Sequence, residues 1–389
     1  MANLRLATFN VENLFSRAKV FVEAPELGQA EGLLTQVEIL KDLLKEPDYS
    51  KPAPDGTPIK QAILRLYLGE PGHEGEATPQ GAQPALNAYI EIREDRGKLW
   101  KKGAGGHKIV GVAAKGQADW DGAIVFKRAE FSDKQRGNTA KVLKATKADI
   151  LCIIEAEDKA TMEDFDAHLM SSRYRYELLI DAFDPRGIDV GLFSKFPFGR
   201  LRTNMFEKVG NSRVFSRDCL EVEVLPDGQK PIYFLLNHFK SKGYDDGTAG
   251  DRRKRQADRV AKILEGYDLV NDRVVVCGDL NDTSDSLALS GLLAVPNLHD
   301  VLELQFGADR SKRWTYHYQK FEQIDYLLVS EPLKAAFVKA GVIRGGIFEL
   351  NKMTSKPNSG VATETEFDTV TAFSNQASDH GAIWAEFTI

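Results

Sequence analysis

Apolar residues recur along this chain with two different periods, and the change of period divides it. Near the start, Leu4, Leu6, Thr8 and Asn10 alternate with Arg5, Ala7 and Phe9, the period of two expected of a strand that ends on a polar residue. Residues 17–135 read differently. Leu33, Leu34, Val37, Leu40, Leu43 and Leu44 keep helical spacing, and Pro47 ends that helix. Further helical patterns cover 59–68 and 85–94, separated by Pro/Gly-rich stretches at 51–58 and 69–84 that suit long surface loops. The glycines of 101–107 (KKGAGGH) follow no strand–turn–helix frame, so that stretch is expected to be flexible and not a phosphate loop.

A regular pattern resumes at Asn138. It predicts a helix over 138–148, a buried strand over 150–154 ending at Glu155, a helix over 161–170, and strands at 190–193, 219–224 and 232–236. A basic amphipathic helix over 251–265 follows. Then comes the run Val274, Val275, Val276, Cys277, which stops at Gly278 and gives way to Asp279, Asn281 and Asp282. Strands at 324–329 and 383–387 complete the series. Strands that are apolar throughout are covered on both faces, and the hairpin-like spacing of 213–236 argues against a purely parallel sheet. The predicted architecture is two packed mixed sheets flanked by helices. Residues 17–135 are an insertion, partly helical with long Pro/Gly loops, within a single catalytic domain of 1–389.

Composition adds limits. The chain has 389 residues, 51 basic and 57 acidic, for a net charge of −6. Global charge therefore does not advertise a polyanionic partner, and a local basic face has to be found. Cys152, Cys219 and Cys277 lie in apolar runs without metal spacing and read as buried thiols; no disulfide framework is present. No charged and apolar leader begins the chain, and no apolar run approaches the roughly 20 residues that span a bilayer. The expected location is cytoplasmic by default, or secreted if a signal has been removed.

The polar residues that matter stand at strand ends. Asn10, Glu155, His238, Asp279 and Asn281 each follow an apolar run, and Asp379 and His380 precede the last one. A lone Asp or His in such a place is most often a turn or a cap. If the last strand runs antiparallel to its neighbours, however, all of these positions meet at one edge. Carboxylate and amide oxygens without cysteine suit a hard cation, Mg²⁺ or Mn²⁺. Two histidines supply acid, base or phosphate-stabilising groups, and Asp325 is placed to orient an imidazole. Together these groups describe metal-assisted phosphodiester hydrolysis.

Seven stretches then carry a resemblance: 7–15 (ATFNVENLF), 148–155 (ADILCIIE), 187–194 (GIDVGLFS), 236–242 (LNHFKSK), 278–282 (GDLND), 324–328 (IDYLL) and 378–380 (SDH). In this order they resemble the endonuclease/exonuclease/phosphatase superfamily of DNase I-like metal-dependent phosphoesterases, with most likeness to its bacterial extracellular-nuclease branch. The likeness covers about 1–16 and 136–389. It implies a four-layered α/β sandwich with the active site at one edge. It also implies Glu155 as principal metal ligand with Asn10 beside it, and Asp379 as a further metal or outer carboxylate. Asp279 would activate water, Asn281 would hold a phosphate oxygen, and His380 paired with Asp325 would stabilise the phosphorus or protonate the leaving oxygen. His238 matches the second histidine of the DNase I and sphingomyelinase branches, and Asp189 is the candidate to support it. The superfamily usually has Gln before the metal-binding Glu, and here that residue is Ile154. Glu12 is either an outer carboxylate of the site or a solvated loop residue. Asp282 reads as the cap of a following helix.

For the substrate, Lys240, Lys242, Arg252, Arg253, Lys254, Arg255, Arg259 and Lys262 cluster after His238, either as contacts to a phosphate backbone or as a solvated helix face. Arg186, Arg213 and Arg217 are candidates to grip non-scissile phosphates. The aromatics of 314–318 either stack bases or pack the sheet edge. The expectation is a divalent-metal-dependent nuclease of low sequence specificity acting on DNA, with RNA as a further substrate and Ca²⁺ as an additional structural ion. A lipid or small-molecule phosphodiesterase of sphingomyelinase type is the alternative.

Overall fold

The computed structural model describes residues 3–14, 19, 27–69, 85–128, 134–184, 186–242 and 248–389. It divides into two compact units, Ser16–Glu130 and the remainder of the chain. The larger unit is organised by two six-stranded sheets. Their strands, in chain order, are β1 (Asn3–Leu14), β2 (Ile150–Ala156), β3 (Tyr176–Leu179), β4 (Asp189–Ser194), β5 (Phe198–Arg202), β6 (Cys219–Val224), β7 (Ile232–His238), β8 (Arg273–Asp279), β9 (Leu298–Asp300), β10 (Asp325–Ser330), β11 (Phe337–Ile343) and β12 (Ala382–Thr388). One sheet has the order β11-β12-β1-β2-β4-β3, the other β9-β10-β8-β7-β6-β5.

Each sheet is built on one parallel pair, β1 with β2 and β7 with β8, flanked by antiparallel neighbours. Parallel partners end at the same edge. β10 and β12 run against them and therefore begin at that edge. The antiparallel pairing of β12 with β1 meets the condition on which the strand-end residues were expected to converge.

The period of two sorts the side chains into layers. Leu4, Leu6, Cys152 and Ile154 from the first sheet pack with Phe234, Leu236, Val275, Cys277, Leu327 and Val329 from the second, forming the core between the sheets. The alternate residues Ala7, Phe9, Leu151 and Ile153 face α1 (Lys134–Thr146) and α2 (Lys159–Phe165). Leu235, Val274, Val276 and Leu328 face α3 (Ala249–Leu264). Helix, sheet, sheet and helix make the four layers expected. All three cysteines are buried and free.

The four strands that the hydrophobic pattern did not predict, β3, β5, β9 and β11, are the four outermost of the two sheets. Edge strands are covered on fewer sides and tolerate charge, as in the largely exposed Phe198–Arg202. The helix expected over 161–170 is α-helical through Phe165 and finishes in a single π turn.

The smaller unit has its own core, with Leu40, Ile63, Leu86, Ile90 and Leu99 fully buried. Its helices span Leu27–Leu44 and Ile59–Leu68. Residues 85–94 are not helical: a 3₁₀ turn at Leu86–Ala88 leads into the strand Ile90–Gly97, paired with Trp120–Phe126. Ile90 and Ile92 alternate with exposed Glu91 and Arg93, which is a strand's period. The glycine stretch at 103–106 turns a hairpin between Trp100–Lys102 and Ile109–Val112, with Gly105 and Gly106 at positive φ. Residues 70–84 of the expected 69–84 loop lie outside the described residues. Among the described residues no helix is long and apolar enough to cross a membrane.

This packing can be tested first at two glycines and then at a buried carboxylate. Gly278 has φ 125°, and a Cβ there would lie 1.9 Å from the Asn237 carbonyl oxygen, so Gly278→Ala is expected to cost roughly 3 kcal/mol or more. Gly137 in α1 faces open space, and Gly137→Ala should stabilise by about 0.5–1 kcal/mol. Urea unfolding measures both, and an unmoved midpoint for Gly278→Ala would refute the close approach. The buried carboxylate is that of Glu177 on β3. Burial, then Asp166 and Glu163, push its carboxyl up to about 7 from 4.5, and its Oε2 lacks a partner among the described residues. A raised carboxyl favours the folded state at low pH, and that contribution is lost as pH rises from about 4.5 through about 7. Glu177→Gln should therefore gain about 1 kcal/mol on wild type at pH 8, after screening, and nothing at pH 4. Equal differences at both pH values would contradict the burial of that charge.

Candidate active site

At the edge where β1, β2, β7 and β8 end, the apolar rows of the inter-sheet core continue as polar residues. Alternation along β1 puts Asn10 on the same face as Leu4 and Leu6. Along β7 it puts His238 with Phe234 and Leu236. On β8 and β10, Asp279 and Asp325 share the face of Val275, Cys277, Leu327 and Val329. All four are buried. Register joins them further, since His238 stands opposite Asp279 and Asp279 opposite Asp325.

Glu155 arrives differently. Ile154 packs between the sheets, so alternation alone would turn Glu155 toward the helices. Instead its φ is 70°, and the register of β2 shifts between Ile154 and Ala156. That bulge carries the carboxylate into the cleft. Glu12 (φ 49°) and Asn281 (φ 54°) also adopt left-handed backbone, which costs a non-glycine residue about 1 kcal/mol or more.

The cleft has a volume of about 320 Å³ and includes Asn10, Glu12, Glu155, Arg186, His238, Lys242, Asp279, Asn281, Asp379 and His380 in its lining. Asp279 is its centre. Its Oδ2 accepts from Asn10 Nδ2 at 3.1 Å and from Asn281 Nδ2 at 3.0 Å, and its Oδ1 accepts from the Asn281 backbone N–H at 2.8 Å. His380 Nδ1 lies 2.8 Å from Asp325 Oδ2, while its Nε2 is 4.0 Å from Asp279 Oδ2 and 3.7 Å from Asp379 Oδ1. The loop before β12 is fixed by Ser378, whose hydroxyl donates to the Asn10 carbonyl at 2.7 Å and accepts from the His380 N–H at 3.0 Å. Tyr316 packs on the His380 ring, with centroids 4.9 Å apart. His238 Nε2 is 3.6 Å from Glu155 Oε1 and 3.7 Å from Asp279 Oδ2.

Burial sets the protonation states. It is the main cause, with Asp325 next, that pushes the Asp279 carboxyl up to about 7. Burial disfavours the charged form of His380, but Asp325, Asp379 and Asp279 outweigh it and hold that imidazole's pKa well above its usual value. His238 is held well below its usual value by burial and then by Arg217. The charged form is thus favoured for His380 and the neutral form for His238. Glu12 is pushed up to about 7 by burial and then by Asp379, and accepts from Gln376 Nε2 at 2.9 Å. It belongs to the site and is not a solvated loop carboxylate.

Several residues have other tasks than those expected. Both N–H bonds of the Asn281 amide are used, one on Asp279 and one on the Phe239 carbonyl at 3.1 Å; the carbonyl fixes the amide's orientation, so Asn281 holds Asp279 and has no donor left for a phosphate oxygen. Asp189 accepts from the Ala182 N–H, and the buried Nδ1 of His238 has no partner among the described residues, so Asp189 does not support that histidine. Asp282 caps no helix: the next one begins at Ser290, and Asp282 accepts from Arg253 Nε at 2.9 Å. Arg253 is buried and also donates to the Lys240 carbonyl, and buried Arg217 bonds Asp184 and the Phe239 carbonyl. Both arginines brace the loops and are not in the cleft lining. Arg213 lies over the Phe183 ring at 3.6 Å. Lys240, half-buried, and exposed Arg252 also lie outside the lining, whereas Arg186 and Lys242 are within it. On the basic helix, Lys254, Arg259 and Lys262 pair with Asp258, Glu207 and Glu265. Trp314 is core, and only Tyr316 of that aromatic run reaches the cleft. Gln376 and the bridging role of Ser378 were not anticipated; Ser378 stood within a motif, but Gln376 gave no sign in the sequence.

The donor set fits a hard cation. Glu12, Glu155, Asp279, Glu322 and Asp379 outnumber Arg186, Lys242 and the His380 imidazole in the lining, so a positive ion would ease the entry of a phosphodiester anion into the cleft. Asp279, Asp325 and His380 each bring one ligand atom within 4.8 Å of the others. Yet Asp325 and the Nδ1 of His380 are already joined, and a protonated imidazole repels a metal. Asn10, Glu155 and Asp379 offer further oxygens in the same lining.

The family model described as "Endonuclease/Exonuclease/phosphatase family" matches residues 122–380. A search of curated proteins found no match. Among solved structures, truncated TDP2 of Caenorhabditis elegans aligns at 18% identity over 66% of this chain and 90% of its own, with TM-score 0.43. D. rerio TDP2 complexed with a single-strand DNA product aligns at 16% over 66% and 92%, with TM-score 0.45. Sphingomyelinase C of Streptomyces griseocarneus aligns at 18% over 65% and 92%, with TM-score 0.43. Likenesses this distant carry no argument about substrate. With two mixed sheets, four layers and a polar cleft at one sheet edge, matched over 122–380, the chain belongs to the endonuclease/exonuclease/phosphatase family.

Proposed function

We propose that this protein is a divalent-metal-dependent nuclease that hydrolyses phosphodiester bonds of DNA, with RNA as a further substrate, by attack of activated water. The observation that carries the reading is the opposition, in one cleft, of a buried carboxylate and a carboxylate-paired histidine. Asp279 is oriented by two amides, and His380 is oriented by Asp325 with its Nε2 4.0 Å from Asp279.

A bound Mg²⁺ or Mn²⁺, held by Asn10, Glu155 and Asp379, would neutralise charge on the scissile phosphate. The chain's own groups do the rest. Asp279, poised near neutral pH, takes a proton from the attacking water. His380 holds a proton on Nε2 and delivers it to the leaving oxygen, because Asp325 fixes Nδ1–H and favours the cation. The products are an alcohol and a phosphomonoester, and the proton gained by Asp279 restores that lost by His380. Neutral His238 offers its Nε2 to a phosphate oxygen. Arg186 and Lys242 bind neighbouring phosphates of a polynucleotide. Glu12, through Gln376, and Asn281 position other groups and do not react.

Hydrolysis of plasmid, duplex, single strands and sphingomyelin, each with Mg²⁺, Mn²⁺ or EDTA, tests the reading. Metal-dependent nucleolysis is expected. Asp279→Ala and His380→Ala should each lower turnover by about 10²–10⁴-fold with folding intact. Turnover of the lipid alone, or near-wild-type rates in either variant, would overturn the assignment.

A further inference from the structure

Near the cleft-lining Arg186, two phenylalanines that the chemistry above does not use stand in water. Phe206 is 65% exposed and Phe183 is 40% exposed. Their rings meet edge to face, with centroids 5.6 Å apart and planes at 75°. The guanidinium of Arg213 lies 3.6 Å over Phe183. Val209, on the hairpin that pairs Lys208–Val209 with Ser212–Arg213, is 60% exposed. Apolar surface grouped in this way marks an interaction site more often than scattered exposed residues do.

The base beneath the group is firm. Asn204 is buried, its N–H donating to Asp218 Oδ1 at 2.7 Å and its Nδ2 to the Cys219 carbonyl at 2.8 Å. Glu207 accepts from the Val214 N–H through its carbonyl and forms an ion pair with Arg259 of α3. The Phe183 N–H donates to the Ser216 carbonyl at 2.9 Å. Asp184, next in the chain, joins Arg217 at 2.6 Å and Arg186 at 3.3 Å. Arg186 lines the cleft, and Arg217 shares the Phe239 carbonyl with Asn281. The backbone that carries the aromatic pair is therefore anchored on both loops, and Asp184 and Arg217 link it through the Phe239 carbonyl to Asn281 and Asp279.

We infer that Phe183, Phe206 and Arg213 form a stacking platform for the unpaired bases of a nucleic-acid strand whose backbone runs into the cleft. An edge-to-face pair leaves ring surface available, every base has a face to lay on it, and a guanidinium plane stacks in the same way. Lys208 and Arg213, paired across the hairpin, and Arg186 on the Phe183 loop supply positive charge for a backbone beside the rings, whereas an apolar membrane contact would not call for an arginine over one ring. The platform would favour single strands, frayed ends and overhangs over a closed duplex. The inference rests on the nuclease reading for its substrate, but its test does not need hydrolysis.

The experiment measures binding of a fluorescein-labelled single-stranded oligonucleotide by anisotropy in EDTA, where no turnover occurs, to wild type, Phe206→Ala and Phe206→Trp. Phe206→Ala should weaken binding about tenfold and Phe206→Trp should retain it. Metal-dependent hydrolysis of bis(p-nitrophenyl) phosphate by Phe206→Ala should stay within about twofold of wild type, since a small diester has no base to stack. Oligonucleotide binding that is absent in wild type or unchanged in Phe206→Ala would overturn the inference. So would a loss confined to binding of sphingomyelin–phosphatidylcholine vesicles, which would make the group a lipid contact. A wild type that binds the strand in EDTA but cleaves nothing with metal would refute the nuclease reading and leave the platform standing.

Discussion

The buried carboxylate of Asp279 is the constraint on which the site depends. An ionised carboxylate in an apolar interior is tolerated only when it is hydrogen-bonded or faces positive charge. Here Asn281 comes from the loop directly after β8, whereas Asn10 from β1 and His380 from the approach to β12 come from distant parts of the chain. They reach one point because the central pair of each sheet is parallel and the next strand is antiparallel. The same layer that holds the sheets together therefore supplies the floor of the cleft, and its polar residues begin where the apolar residues of that layer stop.

This origin also divides labour among groups of similar type. Asp325 lies next to Asp279 in register, yet only Asp325 accepts from the His380 ring. One carboxylate favours the charged imidazole, while burial pushes the other up to about 7. The histidines diverge for the same reason. His380 faces three carboxylates, whereas His238 lies within reach of Arg217 and is held neutral. Environment assigns the roles, as it does wherever paired titratable groups are pushed apart.

The central strands and their polar ends were legible in the sequence because buried strands leave continuous apolar runs and each run ended in Asn, Glu, Asp or His. Residues whose partners lie far away in the chain were not. Arg217 and Arg253 read as phosphate grips, because a basic residue beside a site looks the same whether it faces solvent or a buried Asp. Asn281 was assigned to the phosphate, since nothing in GDLND reveals that the Phe239 carbonyl takes its second N–H. Edge strands such as Phe337–Ile343 escaped because partial exposure allows Lys339 and Gly341 to interrupt the pattern. The Glu155 bulge, which carries a carboxylate against the alternation of its strand, is a backbone event with no compositional sign.

The measurement that bears most directly on this account is anomalous diffraction from crystals of the protein soaked in Mn²⁺ with a non-hydrolysable phosphorothioate dinucleotide. The account predicts an ion held by oxygens of Glu155, Asn10 and Asp379, with the His380–Asp325 hydrogen bond intact and His380 Nε2 toward the phosphorothioate. An ion bound instead to Asp325 and His380, or none in the cleft, would contradict it.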